Sequence, residues 1–397
     1  MKRIGVTGAF GFLGANFVSS LLEGRRNLRY ARDDLEIVAF ASKTRRNPLF
    51  DPADVTVENL DVLDCEDLAS KFSGLDYIAH FAGRVDYRQG WRRAVWDTDV
   101  LGTKRVFDAA LEAGVSRVLY VSSICALGNG TKPEGAPAGA LPRADESSSP
   151  YGDPDWPISF ASPAEALAAV DASLAGDYGF INKIKVAYFD AKLAGWELAK
   201  LYARERGLPI VTIFPGTAVG AGDLHYAISK LVNDVWEGKL RLSFGGGTSF
   251  LDVRDLARGA ILALEKGKVG EGYIIGGRDE HNLGYVQFQN MVATLARSEG
   301  WLAQRSPPVL PMGLLLAIAF VAERLAPDGS INEAFVLSGS RKNICSSAKA
   351  RREFGYEPRS SLDGAILECR RFSEARKAES RKPRLLPFAR RVLSLVH

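Results

Sequence analysis

The stretch Lys2-Arg3-Ile4-Gly5-Val6-Thr7-Gly8-Ala9-Phe10-Gly11-Phe12-Leu13-Gly14 decides the fold. Arg3–Thr7 reads as a short apolar strand, and Gly14–Leu22 has helical spacing. Between them stand glycines at 8, 11 and 14. The first permits a tight turn and the second lets the backbone approach a pyrophosphate. The third lets helix and strand pack closely, with the anion at the helix N-terminus. Three glycines can also be only a turn; their place directly between strand and helix favours a nucleotide.

Working outward, strand-like stretches recur at Glu36–Ala41, Val55–Asn59, Tyr77–Phe81, Arg117–Val121 and Ile210–Phe214. Helical patterns separate them at Trp91–Ala113 and Val186–Arg206. Strands alternating with helices of this length predict an α/β fold: a Rossmann-like, doubly wound parallel sheet covered on both faces. The second strand is followed by Ser42-Lys43-Thr44-Arg45-Arg46, with no acid to hold a ribose 2′-hydroxyl. Basic residues there suit a 2′-phosphate, so NADP is favoured over NAD. A plain solvated loop is the alternative reading of Lys43, Arg45 and Arg46. Asn129–Ile184 breaks the rhythm as an insertion, rich in Gly, Pro and Ser, with a helical piece near Pro163–Ala175.

Composition narrows the function. The chain has 397 residues, 51 basic against 47 acidic side chains. Nine basic and two acidic residues fall in Arg370–His397, so that end carries +7 and the body −3. A nucleic-acid binder built on a broad positive face is therefore not expected. Cys65, Cys125, Cys345 and Cys369 are far apart and without a CxxC, as in a reduced, cytoplasmic protein. Four scattered histidines make a metal centre unexpected. The N-terminus leaves no room for a secretory signal, and the apolar run Val309–Ala322 is too short to span a bilayer.

Tyr188-Phe189-Asp190-Ala191-Lys192 places Tyr and Lys at i and i+4 on one helical face. Lys192 near the phenol would lower its pKa, so that Tyr188 passes a proton to or from a carbonyl oxygen. Ser123, in Tyr120-Val121-Ser122-Ser123, would hydrogen-bond the same oxygen. Together with the glycine turn, these residues make the chain resemble an extended short-chain dehydrogenase/reductase. The branch is that of 3β-hydroxysteroid dehydrogenases, dihydroflavonol reductases and NAD-dependent epimerase/dehydratases. The resemblance runs from Lys2 to about Arg371. It implies catalytic roles for Ser123, Tyr188 and Lys192. It implies cofactor contacts at Gly8, Gly11, Phe12, Leu13, Gly14, Ser42, Lys43, Asp61, Val62, Phe81, Ala82, Gly83, Tyr188, Lys192 and Pro215. Phe214–Gly220, Ser249–Ala257 and Ala350–Pro358 resemble further motifs of the family.

The departures are informative. Asp99 stands where the family usually has Asn, and Ala191 where it usually has Ser. A rival Tyr151 has no lysine at position 155 and is rejected. Sugar dehydratases of the family carry an Asp-Glu pair after the catalytic Ser or Thr; here Ile124-Cys125 stands there, which disfavours dehydration.

The resemblance implies a dinucleotide-binding domain, 1–213 and 249–277, and a smaller C-terminal substrate-binding lobe, 214–248 and 278–368. The expected reaction interconverts a ketone and a secondary alcohol on a small apolar substrate, steroid-, lipid- or polyketide-like. The Pro-then-Leu-rich Pro308–Ala326 resembles the helix of this branch; for any single residue of it, a place in a core helix of the lobe is expected over direct substrate contact. A nucleotide-sugar epimerase holding NAD tightly, and a non-catalytic nucleotide-binding or membrane-docked assembly protein, are the alternatives. His225 near the expected substrate mouth reads as a surface residue. The family often dimerises through its two long helices, so a homodimer is expected. The basic-apolar end 369–397 fits peripheral membrane contact through 381–397, a docked end helix or a solvated tail.

Overall fold

A computed structural model describes residues 2–26, 35–42, 46–131, 142–224, 228–303, 306–326, 329 and 331–381. Lys43, Arg45, His225 and the segment 382–397 lie outside the described residues.

The first half builds one parallel sheet. In chain order come β1 (Lys2–Thr7), α1 (Phe12–Arg26), β2 (Leu35–Ala41), β3 (Thr56–Asn59), α2 (Leu68–Phe72) and β4 (Tyr77–His80). After them come α3 (Arg92–Trp96), a π turn at Asp97–Leu101, α4 (Gly102–Glu112), β5 (Arg117–Val121), α5 (Pro163–Leu174), α6 (Ala187–Glu205) and β6 (Ile210–Pro215). The strand order is β3-β2-β1-β4-β5-β6-β9, all parallel, where β9 (Gly272–Ile275) is contributed by the second half. Parallel strands are buried on both faces, which is why β5 and β6 read as continuous apolar runs. One face carries Phe107, Leu198 and Tyr202 from α4 and α6. The other carries Phe17 of α1 against residues of the later helix α8 (Val253–Lys266). The order reverses between β1 and β4, so a crevice opens at the carboxyl ends of those two strands, where ligands bind in doubly wound sheets.

The second half supplies β7 (Thr217–Val219), α7 (Ser229–Trp236), β8 (Gly247–Asp252), α8 (Val253–Lys266), β9 (Gly272–Ile275), β10 (Asn282–Gly284), α9 (Tyr285–Ser298), α10 (Met312–Leu325), α11 (Glu333–Gly339), β11 (Lys342–Asn343), α12 (Ala348–Phe354) and α13 (Leu362–Arg381). α8 and β9 return to the large sheet. β8 is the centre of a small sheet, antiparallel to β10 and parallel to β7 and β11. The boundary expected at residue 249 therefore cuts β8, which belongs to the small lobe.

The boundary expected at 369 also moves. α13 continues through it to Arg381, because Cys369, Arg370 and Ser373 are buried against α7 and α9. The Arg370 guanidinium donates to Asn233 Oδ1 at 2.7 Å and Glu237 Oε1 at 2.8 Å. Despite the cost of burying it, Glu237 is held down to about 2 by its bonds from Arg370, Lys239 and Lys377. A buried, paired cation costs several kcal/mol to strand. The first part of the basic end is thus part of the body.

The described parts of the insertion are packed. Ala144 pairs with Cys345, and the Glu146 carboxylate accepts from the Ile274 amide at 2.8 Å. α5 lies on α6, with Ala166, Ala169 and Val170 buried in the same core. Ser162 caps it, accepting from the Glu165 amide.

Candidate active site

The glycine turn joins β1 to α1 at the crevice. Gly8 has φ +68°, and a Cβ there would lie 2.7 Å from the Ala82 amide nitrogen. So the turn is pressed against the segment after β4, which bonds back through Phe81 N to Thr7 O at 3.1 Å. A Cβ on Gly14 would collide with the Gly8 carbonyl oxygen, so the third glycine sets how closely α1 approaches the turn. Phe12 and Leu13 open α1, leaving helix N-terminal amides aimed at the crevice. The cradle thus fits a dinucleotide pyrophosphate. Asp61 closes its own turn, accepting from Leu63 N at 3.0 Å, and Val62 packs beneath Gly102. Ser42 is exposed just past β2, Gly83 is exposed beside Lys192, and Pro215 is buried at the end of β6.

The three expected catalytic side chains meet at the same end of the sheet. Ser123 follows β5 and its Oγ accepts from Cys125 N at 3.2 Å. Tyr188 and Lys192 lie in the first turns of α6, with Lys192 Nζ 5.7 Å from the Tyr188 ring centre. Burial raises the Tyr188 phenol well above its ordinary value; neighbouring Cys125, Tyr87 and Asp99 push the same way, and a hydrogen bond with Ser123 pulls it down. This differs from the expectation that Lys192 would lower it. The main reason is burial; in addition Lys192 Nζ is 3.6 Å from Asp99 Oδ2, a fully buried carboxylate.

Asp99 lies in the π turn that interrupts the long helix. Its Oδ1 accepts from the Arg84 amide at 2.7 Å, while Oδ2 has no hydrogen-bond partner. Burial raises the Asp99 carboxyl, opposed by Lys192 and the Arg84 amide. A negative charge here disfavours the tyrosinate. Asp99→Asn should therefore lower the Tyr188 pKa, moving the acidic limb of alcohol oxidation to lower pH. A pH–rate profile checks this; an unmoved limb would mean that Asp99 does not act on Tyr188.

Two neighbours are structural. His80 is buried between Thr7 Oγ1 (2.7 Å) and Thr103 Oγ1 (3.0 Å), and burial pulls it down to about 3, so it stays neutral. Tyr151 donates to Glu197 Oε1 at 3.0 Å, which commits the rival tyrosine elsewhere.

Several residues around the site carry no local sequence signal. The Tyr87 ring lies 6.2 Å from Tyr188 and 6.1 Å from Phe335 of α11. Trp156 packs on Phe189, and Ser159 donates to both oxygens of buried Asp190, at 2.7 and 2.8 Å. Asn343 Nδ2 reaches Cys125 Sγ at 3.6 Å. The insertion and the small lobe thus close over the catalytic helix from two sides. Of these, Asp190 and Cys125 were within reach of sequence reasoning, the one between the Tyr and Lys of one motif and the other just after Ser123.

The chain is similar to known proteins along most of its length. The model of the NAD dependent epimerase/dehydratase family matches residues 4–153 and 171–276, and the gap falls in the insertion. A putative dihydroflavonol 4-reductase of Synechocystis is 28% identical over 92% of each chain. A 3-beta-hydroxysteroid dehydrogenase of Mycolicibacterium neoaurum is 25% identical over 93% of this chain and 90% of its own. Among solved structures, gox2253 superposes with a TM-score of 0.70 at 25% identity, covering 95% of this chain and 99% of that one. A nucleoside-diphosphate-sugar epimerase from Pseudomonas aeruginosa superposes with a TM-score of 0.65 at 22% identity, over 94% and 98%. The chain belongs to the NAD dependent epimerase/dehydratase family, within the extended short-chain dehydrogenases/reductases.

Proposed function

We propose that the protein is an NADP-dependent reductase of an apolar ketone, working reversibly as a dehydrogenase of the corresponding secondary alcohol. The observation that carries this reading is the apolar surroundings of Tyr188. It packs on the cluster of buried Val186, Phe189 and Ala334, with half-buried Tyr87, Cys125 and Leu337 beside it. Such surroundings suit a steroid-, lipid- or polyketide-like carbonyl better than a charged sugar nucleotide. Relatives named as a 3-beta-hydroxysteroid dehydrogenase and a putative dihydroflavonol 4-reductase support the same substrate class.

A bound nicotinamide would supply the hydride to the carbonyl carbon. The protein handles the proton. Tyr188, kept neutral by burial, donates its O–H to the carbonyl oxygen as negative charge develops there. Ser123 donates a second hydrogen bond to that oxygen, and Lys192, held by Asp99, places a positive charge beside the phenol. Cys125 adds no base of its own, since burial pushes its thiol up to about 11. Support for NADP comes from β2, which ends at Ala41 without a carboxylate and is followed by Lys43, Arg45 and Arg46. A homodimer through α4 and α6 is a further proposal; α5 already covers part of α6.

The test follows NADPH absorbance with a panel of steroid, long-chain and polyketide-like ketones. Ketone-dependent oxidation, with NADPH bound at least about tenfold tighter than NADH, is expected. NAD retained through purification, with sugar-nucleotide interconversion and no net redox, would contradict the proposal.

A further inference from the structure

Ser123 and Tyr188 must reach one carbonyl oxygen, yet they stand on different elements. Ser123 follows β5, where its Oγ caps the turn Ile124–Ala126 by accepting from Cys125 N. Its own proton is thereby left to donate. Tyr188 lies in the first turn of α6, beside buried Phe189 and Asp190.

One segment of the insertion touches both places. The buried Trp156 donates its indole N–H to the Cys125 carbonyl at 3.4 Å, inside the turn that Ser123 caps. Its ring centre lies 5.6 Å from that of Phe189, the residue after Tyr188. Ser159 then donates from its amide and its hydroxyl to the two oxygens of Asp190. Its Oγ also accepts from Lys185 N at 3.0 Å, just before α6 begins. A carboxylate as buried as that of Asp190 is costly to leave without partners, so Ser159 is held on it.

The segment is anchored at both ends. Upstream, Asn129 Nδ2 donates to Asp153 Oδ2 at 2.8 Å, and Arg341 beside β11 pairs with Asp155 at 3.6 Å. Downstream, α5 packs on α6, and Ser173 of α5 accepts from Trp96 Nε1 at 3.1 Å. The matched stretches of the family model end at 153 and resume at 171, so Trp156 and Ser159 lie outside the frame it describes.

We propose that Trp156–Ser159 is a brace that sets Ser123 and Tyr188 in register for proton transfer, with Trp156, Ser159 and Asp190 as positioning residues. The proposal rests on the reductase reading for the chemistry that the brace serves. Misplacing reacting groups by about 1 Å can cost about 10²-fold in rate.

The test has two arms, both on the full chain. Hydrogen-exchange mass spectrometry needs no substrate. Trp156→Phe keeps a ring against Phe189 and loses the N–H, so exchange should quicken in 123–127. Asp190→Ala should quicken it in 186–192, and Asp190→Asn, which can still bond Ser159, should restore most of the protection. Exchange in β1 and α1 should not change. Ser159→Ala, which keeps the main-chain bond, is the milder variant if Asp190→Ala does not fold. The second arm is turnover of the best ketone of the panel. Trp156→Phe and Asp190→Ala should each lower kcat about tenfold, with NADPH affinity preserved. In a Tyr188→Phe background Asp190→Ala should cost less than about threefold, because no phenol is left to aim. Exchange unchanged in both segments, kcat unchanged despite faster exchange, or the full loss persisting without the phenol would each overturn the proposal. If the wild type turns over no ketone, the reductase reading fails, and the exchange arm still decides whether the brace holds the two segments.

Discussion

Tyr188→Phe is expected to lower kcat for ketone reduction by about 10²- to 10⁴-fold, the usual worth of a positioned proton donor. The substitution removes one oxygen from a half-buried ring that stays held by Tyr87 and by the apolar cluster of Val186 and Phe189. The melting temperature and the NADPH dissociation constant should therefore change little. Loss of kcat with KM and nucleotide affinity preserved is the signature of a group acting in the transition state. Turnover retained in the phenylalanine variant would mean that another group supplies the proton. The nearest alternatives fit poorly, since Tyr151 is bonded to Glu197 and His80 stays neutral between two threonines.

The second large effect is expected at the nucleotide turn. Gly14→Ala puts a methyl group against the Gly8 carbonyl, and the neighbouring backbone cannot yield because Gly8 is itself pressed on Ala82. Overpacking of this kind costs about 1–3 kcal/mol of stability. Relief requires α1 to move away from the turn, which carries the helix N-terminus off the pyrophosphate. NADPH binding should weaken by about tenfold to a hundredfold. Thermal melting and quenching of nucleotide fluorescence check the two effects separately. Gly11 is the internal contrast: a Cβ there meets only Gly8 O, at 3.2 Å, so Gly11→Ala should be milder.

Much of this was legible in the sequence. The run from Lys2 to Gly14 encodes strand, turn and helix within thirteen neighbouring residues, and the Tyr188–Lys192 pair is fixed by helical periodicity alone. What escaped depends on contacts between distant segments. Tyr87 sits in an irregular stretch, and its partner Phe335 lies in another domain segment; no local pattern links them. Asp99 was visible as a substitution, yet its pairing with Lys192 needs the π turn, which periodicity does not announce. The basic end misled in a similar way. Charge counting separated Arg370 from the body, whereas its guanidinium is buried against Asn233 and Glu237. β8 was divided at 249 because the motif beginning there also supplies α8, and one short strand and the next helix serve different sheets.

The central claim is that Ser123, Tyr188 and Lys192 serve hydride chemistry at a carbonyl on an apolar substrate. The direct measurement uses NADPH carrying deuterium at the transferable C4 position, with a turned-over steroid or long-chain ketone. Mass spectrometry of the product is expected to show one deuterium on the carbinol carbon, and the Tyr188→Phe variant should form it far more slowly. A product without deuterium, or nucleotide binding with no carbonyl consumed across the whole panel, would contradict the account.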